Sequence, residues 1–221
     1  MTLSPGPGSR FYEVQELLEA YAAHDCTFTD TPETPGPALS AYLRIVSPDP
    51  QRTADAVHQL DDILRTGLFS PEIADDIELL PKIEPPSGRG VEECLRIIRE
   101  HLVRHLGSPA QQNRSLPQNK WEYRERFPEL NQFLGAHFHQ DFSDEYTSYA
   151  EAVDDYLSGA SDADLDQLVR DVTGLLAMAA TDKDLKQAVS VLGMDVSPPS
   201  GISVRRWLEE VAGTVAERLR R

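Results

Sequence analysis

The apolar residues of the first half recur at helical spacing, in segments that are separated by proline and glycine. The opening segment, residues 11–23, predicts an amphipathic helix through its stripe of Phe11, Val14, Leu17, Leu18 and Tyr21. Similar stripes predict helices over residues 38–46, 49–65, 70–80 and 91–106. Asp49-Pro50 and Ser70-Pro71 mark two helix starts, because Asp and Ser accept hydrogen bonds from free N–H groups and Pro fits the first turn.

The same kind of pattern begins again in the second half. Apolar stripes predict helices over residues 128–138, 148–157, 161–176, 182–192 and 204–219. Ser148 with Glu151, and Ser161 with Asp164, have capping-box spacing, and Asp182 is expected to cap the helix that follows it. Residues 108–125 have little apolar periodicity and are interpreted as a linker, whose end packs on the protein through Trp121 and Tyr123.

The two halves align with each other over most of their length. At an offset of 113, Pro85-Pro86-Ser87-Gly88 coincides with Pro198-Pro199-Ser200-Gly201. The middle helices of the two halves coincide at an offset of 112. Residues 10–25 coincide with residues 126–141 at an offset of 116. The inward positions of the last helices also coincide, with Val91, Cys94, Leu95, Ile98, Leu102 and Leu106 falling on Val204, Trp207, Leu208, Val211, Val215 and Leu219.

The predicted fold is therefore all-α, with two similar small helical bundles of about five helices each that arose by internal duplication. No long β-branched alternation predicts a strand. The expected domains are a degenerate repeat over residues 1–107, a linker over 108–125 and a second helical domain over 126–221. Trp207 is expected to anchor the core of the second domain.

The charge of the chain limits its partners. The 221 residues carry a net charge of −16, which disfavours nucleic acid as a ligand because phosphate contacts need Lys and Arg. The acidity belongs to both halves, with 18 acidic against 9 basic residues over 10–107 and 17 against 7 over 126–219. Such a surface favours a basic protein partner and also keeps a protein soluble, and composition alone does not separate the two.

The remaining composition indicates a cytoplasmic protein. No apolar run approaches the roughly 20 residues that cross a bilayer, and the N-terminus lacks the pattern of a signal peptide. Cys26 and Cys94 are expected to be free thiols in a reducing compartment. We expect a monomer or a weak dimer that does not bind membranes.

The candidate chemistry is sparse. His137, His139 and Asp141 spell H-x-H-x-D, but His137 belongs to a predicted helix, where residues two apart do not share a face. We therefore expect no metal and no cofactor, and assign Asp141 a structural role at a helix end. The sequence contains no nucleophile elbow and no phosphate-binding glycine loop, so an enzyme is not expected.

An acidic, aromatic loop is the strongest candidate for a binding patch. Residues 141–146 read DFSDEY and place three acids between two aromatic residues, a composition that suits a protein interface. The alternative is that Phe142 and Tyr146 only attach this loop to the core. Adjacent acids such as Asp154-Asp155 are usually solvated helix faces.

The second half resembles the immunity proteins of contact-dependent growth inhibition systems. The resemblance rests on the segments Phe127-Pro128-Glu129-Leu130, Phe138-His139-Gln140-Asp141, and Pro198-Pro199 followed by Trp207-Leu208. The first half lacks these features: Ala22-Ala23-His24-Asp25 and Cys94 stand at the matching positions.

The resemblance implies a protein that binds and blocks a toxin domain delivered by a neighbouring cell, often a nuclease, without catalysis of its own. The candidate toxin-binding residues are His139, Asp141, Asp144, Glu145, Tyr146, Asp154 and Asp155. The sequence hypothesis is accordingly a cytoplasmic immunity protein with a cognate, basic protein toxin as its partner. The alternative is an acidic all-helical interaction or adaptor module without a toxin partner.

Overall fold

The computed structural model describes residues 10–67, 83–107 and 116–220, and the prediction of an all-α fold is confirmed. Within these ranges the chain forms eleven α-helices and no β-strand, apart from one isolated bridge between Thr27 and Glu84. None of the described helices is long and apolar enough to cross a membrane. The chain divides into two compact units, Met1–Asn113 (unit 1) and Arg114–Arg221 (unit 2).

Unit 1 contains four described helices, and their apolar stripes form its core. They are α1 (Tyr12–Ala22), α2 (Pro37–Val46), α3 (Pro50–Thr66) and α4 (Val91–Leu106). All five apolar residues predicted to line the first helix are buried. The Asp49 carboxylate caps α3 as predicted, by accepting a 3.0 Å hydrogen bond from the Gln51 N–H. The helix predicted over 70–80, with its Ser70-Pro71 start, lies outside the described residues.

The described part of unit 2 contains seven helices, of which two are short. They are α5 (Lys120–Arg126), α6 (Pro128–His137), α7 (Phe142–Glu145), α8 (Tyr149–Gly159), α9 (Asp162–Met178), α10 (Asp182–Val191) and α11 (Val204–Leu219). Trp207 is 3% exposed, and its ring lies 5.0 Å from that of Phe138 and 6.3 Å from that of Tyr149. The predicted tryptophan anchor is thus part of an aromatic core.

The predicted helix caps are confirmed in part. Ser161 and Asp164 form a reciprocal capping box at the start of α9. The predicted cap at Asp182 is wrong by one residue: Thr181 is the N-cap, and its capping-box partner is Asp184. At the start of α8, Ser148 accepts from the Glu151 N–H, but the Glu151 carboxylate accepts from Thr147 instead of closing the box.

The segment interpreted as a linker contains a helix. Lys120–Arg126 forms α5, and Trp121 and Tyr123 within it are buried. The side chain of Asn119 caps this helix by accepting from the Glu122 N–H at 2.9 Å. The helix has only seven residues, so its apolar positions are too few to show a period.

The helices of the two units pair in the same order. In unit 1, α3 packs on α4, and α1 packs on both α2 and α3. In unit 2, α9 packs on α11, and α6 packs on both α8 and α9. The turns before the last helices also agree, since Arg89 donates to the Pro86 carbonyl and Ile202 to that of Pro199, each at 3.0 Å. Gly88 and Gly201 supply the positive φ in these turns, at 86° and 83°.

Candidate functional site

The acidic loop between α6 and α8 is attached to the core by one of its two aromatic residues. Phe142 is 8% exposed, and its ring lies 5.6 Å from that of Phe138 and 4.8 Å from that of Tyr149. This anchor fixes α7, a single helical turn where the sequence predicted only loop. For Phe142 the role is therefore attachment of the loop, which leaves the acids around it facing outward.

Tyr146 connects this turn to α8. Its hydroxyl donates to the Asp155 carboxylate at 2.8 Å and lies 3.0 Å from Nδ1 of His137. Since the hydroxyl has one proton and Asp155 receives it, the His137 Nδ1–H is the donor to the Tyr146 oxygen. The hydrogen bond to Asp155 raises the pKa of Tyr146 to about 12. Burial lowers the pKa of His137, so its imidazole is neutral at pH 7.

His139 is held across the same turn. Its Nδ1 accepts from the Asp141 N–H at 3.2 Å, which leaves Nε2 as the ring nitrogen that carries a proton. Nε2 lies 3.3 Å from the Glu145 carboxylate. The predicted structural role of Asp141 at the helix end is wrong for its side chain, which makes no capping hydrogen bond to α7 and is 60% exposed.

The predicted binding residues lie on α7, on α8 and next to α7, and we call them the acidic edge. They are His139, Asp141, Asp144, Glu145, Tyr146, Asp154 and Asp155. All five of its carboxylates are exposed. Among the described residues, neither Lys nor Arg forms an ion pair with any of them. The edge therefore presents concentrated negative charge. Asp141 and Glu145 lie beside His139, and Asp155 lies beside His137 and Tyr146.

His137, His139 and Asp141 do not converge on one point. Nδ1 of His137 faces Tyr146 and Asp155, whereas His139 is turned toward Glu145. Across the part of the chain that the structure describes, no group of three or more His, Cys, Asp or Glu side chains could hold a metal ion. The imidazoles here position carboxylates.

A buried acid in unit 2 was not singled out from the sequence. Asp171 is 3% exposed and accepts hydrogen bonds from the N–H groups of Glu129 and Leu130, at 3.0 and 3.1 Å. It thereby provides an acceptor for two N–H groups in the first turn of α6, which have no partner within the helix. Burial raises its pKa to about 6. The sequence signal that could have indicated its burial is its position within the apolar stripe of α9, between Leu168 and Leu175.

The comparisons with known proteins identify a family for unit 2. Residues 126–215 match the family model described as CdiI immunity protein. No curated protein and no solved structure matches the chain at the significance required. The matched range runs from the residue before Phe127 to Val215 and includes the complete acidic edge. Residues 126–215 of the chain are thus similar to the CdiI immunity protein family.

Proposed function

We propose that this protein is a cytoplasmic immunity protein that binds a cognate toxin domain through the acidic edge of unit 2 and thereby neutralises it. The similarity of residues 126–215 to the CdiI immunity protein family implies a toxin partner and inhibition by binding. The observation that carries the choice of surface is the exposure of five carboxylates without a Lys or Arg partner among the described residues. Three of them lie on the turn that Phe142 fixes to the core, and Asp154 and Asp155 lie on α8.

The electrostatics of the edge favour a basic toxin, such as a nuclease whose surface binds phosphates. A charged edge accelerates encounter with a surface of opposite sign, and salt screens this effect within about 10 Å at 0.1 M ionic strength. A stable interface of standard size would bury about 1,600 Å² in total, more than the edge alone supplies. The edge would therefore steer and orient the toxin, with neighbouring surface of unit 2 completing the interface.

We further propose that unit 1 is a diverged copy of the same module. The shared order of helix pairing and the matching turns at Gly88 and Gly201 support a duplication. Unit 1 lacks most of the acidic edge: at the offset of 116, Ala23, Phe28 and Thr29 stand where unit 2 has His139, Asp144 and Glu145, and only Asp25 matches Asp141. Toxin binding through the edge would accordingly belong to unit 2.

Co-expression with the toxin domain encoded beside this gene tests the proposal. The wild-type chain should restore growth of cells that produce the toxin, and failure to do so would contradict the immunity function. The double variant Asp144→Lys/Asp154→Lys reverses two exposed charges of the edge and should lose protection. Asp182→Lys/Glu217→Lys makes the same charge change at exposed positions of α10 and α11 and should still protect. Equal protection by both variants would contradict the edge as the binding surface.

A further inference from the structure

A buried ion pair joins the first three helices of unit 1. The Glu13 carboxylate on α1 accepts from Arg52 Nε at 2.7 Å and from Arg52 Nη2 at 3.1 Å. The same carboxylate accepts from the Tyr42 hydroxyl of α2 at 3.1 Å. Glu13 is 6% exposed, and the guanidinium covers it from the first turn of α3. A bidentate contact of this kind matches the planar geometry of both groups.

Unit 2 repeats most of this arrangement at equivalent positions. Tyr156 on α8 donates to the Glu129 carboxylate on α6 at 2.7 Å, as Tyr42 does to Glu13. A second hydrogen bond also repeats, with its donor residues related by an offset of 116 and its acceptor residues by an offset of 112. The Leu130 N–H donates to Asp171 as the Val14 N–H donates to Gln59, both at 3.1 Å. Glu129 is therefore the structural counterpart of Glu13.

The arginine does not repeat. Asp164 occupies the position of Arg52, at the offset of 112 that relates α3 to α9. In the described part of unit 2, no Lys, Arg or His forms an ion pair with Glu129, Asp164 or Asp171. Glu129 is only half-buried where Glu13 is buried, so its carboxylate is within reach of a side chain from outside.

The electrostatics reflect this difference. Burial, opposed by the Tyr156 hydrogen bond and reinforced by Asp164, raises the pKa of Glu129. Burial also raises the pKa of Asp171, and Glu129 adds to that shift. Acids that resist ionisation in this way would be stabilised as carboxylates by a nearby cation. Unit 1 shows which cation fits the carboxylate–tyrosine pair, because Arg52 is held there.

We infer that Glu129, Tyr156 and Asp164 form a docking site for an arginine side chain of the protein partner, in the place that Arg52 occupies within unit 1. The inference rests on the proposed function, of which it specifies one contact. The partner's guanidinium would bind Glu129 in the bidentate manner of Arg52, with Asp164 as a second acceptor. Unit 1 would be unable to bind a partner in this way, because its own chain fills the equivalent site.

The first experiment measures affinity for the toxin domain encoded beside the gene. Glu129→Gln removes the carboxylate charge and should weaken binding on the order of 30-fold, as expected for a central anchor. Asp164→Arg should weaken binding as much, because it recreates the arginine of unit 1 and fills the site from within. Asp162→Arg makes the same charge change at an exposed position of the same helical turn and should have a much smaller effect.

One control variant separates the effect on the docking site from the effect on the stability of α9. Asp164 also forms the capping box with Ser161, which Asp164→Ala removes without adding a guanidinium. Asp164→Ala should therefore melt below Asp164→Arg, and should bind the toxin more tightly than Asp164→Arg does. If Glu129→Gln and Asp164→Arg both bind like the wild-type chain, the docking site is wrong while the immunity function stands.

The second experiment does not need the toxin. Carboxyl NMR signals of Glu129 and Asp171 are followed while Nα-acetyl-arginine methylamide is added. The wild-type signals should shift as the guanidinium enters, and the shifts should be absent in Asp164→Arg. If no signal of the wild-type chain shifted, the proposed docking site would be contradicted, whether or not the toxin binds. If the chain bound the arginine probe but not the toxin, this result would support the docking site and contradict the immunity function.

Discussion

Unit 1 and unit 2 share a hydrogen bond between a tyrosine and a glutamate and differ in what surrounds it. In unit 1 the carboxylate of Glu13 is neutralised by Arg52 of the same unit. In unit 2 the equivalent Glu129 stands with two further acids, Asp164 and Asp171. The comparison shows that similar helical frames can hold either a closed ion pair or an acidic site. Two positions differ between them: Arg52 of α3 is replaced by Asp164 of α9, and Gln59 by Asp171.

The connection between α1 and α2 in unit 1 and that between α6 and α8 in unit 2 differ in a similar way. In unit 1, the Tyr21 hydroxyl donates to Asp30 at 2.7 Å, and both residues are buried. In unit 2, the Tyr146 hydroxyl donates to Asp155, whose side chain is 56% exposed. Unit 1 thus uses its tyrosine–carboxylate pair inside the core, whereas unit 2 holds one at the surface. The acids that unit 2 exposes are the ones available to a partner.

The largest expected effect compares the last helices of the two units. Trp207→Ala should destabilise unit 2 by about 3–5 kcal/mol, because it removes a buried ring that packs on Phe133 and Phe138. The equivalent change in unit 1, Cys94→Ala, removes one buried sulfur and should cost about 1 kcal/mol. Denaturant unfolding followed by circular dichroism measures both. Equal losses would contradict the role of Trp207 as the larger core anchor.

The next effect concerns the closed ion pair of unit 1. Arg52→Met keeps an apolar stem but leaves the buried Glu13 without its cation, and should cost about 3 kcal/mol. The value lies at the low end for buried pairs because the Arg52 side chain remains 27% exposed. Arg96→Met, at an exposed i,i+4 pair with Glu92, is the matched control and should cost about 0.5 kcal/mol or less. A similar loss in both variants would contradict the buried character of the Glu13 pair.

The third effect is a pH dependence that unit 2 has and unit 1 lacks at the equivalent position. Asp171 titrates at about 6 in the folded chain and near its ordinary value of 3.8 when unfolded. The folded state therefore holds the proton more tightly, and this stabilisation, present in full below pH 4, is lost as pH rises through 6. Between pH 4 and 6 the loss is about 2 kcal/mol for this group alone.

Asp171→Asn should remove that part of the pH dependence. Burial also raises the pKa of Glu129, so the measured quantity is the difference between wild type and variant at pH 4 and at pH 6. Gln59 fills the equivalent position of unit 1 and does not titrate, so Gln59→Ala should lower stability equally at both pH values. A wild type and an Asp171→Asn variant with the same pH dependence would contradict the raised pKa.

The helices of this fold could be predicted because each has enough residues to show its apolar period. The helix predicted over residues 49–65 agrees with α3 to within one residue at each end. Its cap at Asp49 could be predicted because Pro50 follows it directly. Helix α5 was missed because it has seven residues, and the short turn α7 was missed because it has four. The turn is held by the packing of Phe142, which periodicity does not report.

The candidate site could be predicted only as far as its residues are neighbours in sequence. The acids of the acidic edge lie within one loop and the helix after it, so their clustering followed from the sequence. The contact of Arg52 with Glu13 joins residues 39 apart, and that of Asp171 with Leu130 joins residues 41 apart. Such contacts depend on how α1 crosses α3 and α6 crosses α9, which a stripe of apolar positions does not specify.

The smallest expected effects compare the two tyrosine–carboxylate pairs. Tyr21→Phe leaves the buried Asp30 without one of its donors and should cost about 1.5 kcal/mol, because a buried acceptor loses its partner. Tyr146→Phe leaves Asp155 in contact with water and should cost about 0.5 kcal/mol. Both substitutions remove a single hydroxyl, so the difference in the free energy of unfolding reports the surroundings of the carboxylate. If Tyr146→Phe cost more than Tyr21→Phe, the acidic edge would depend on internal support more than its exposure indicates.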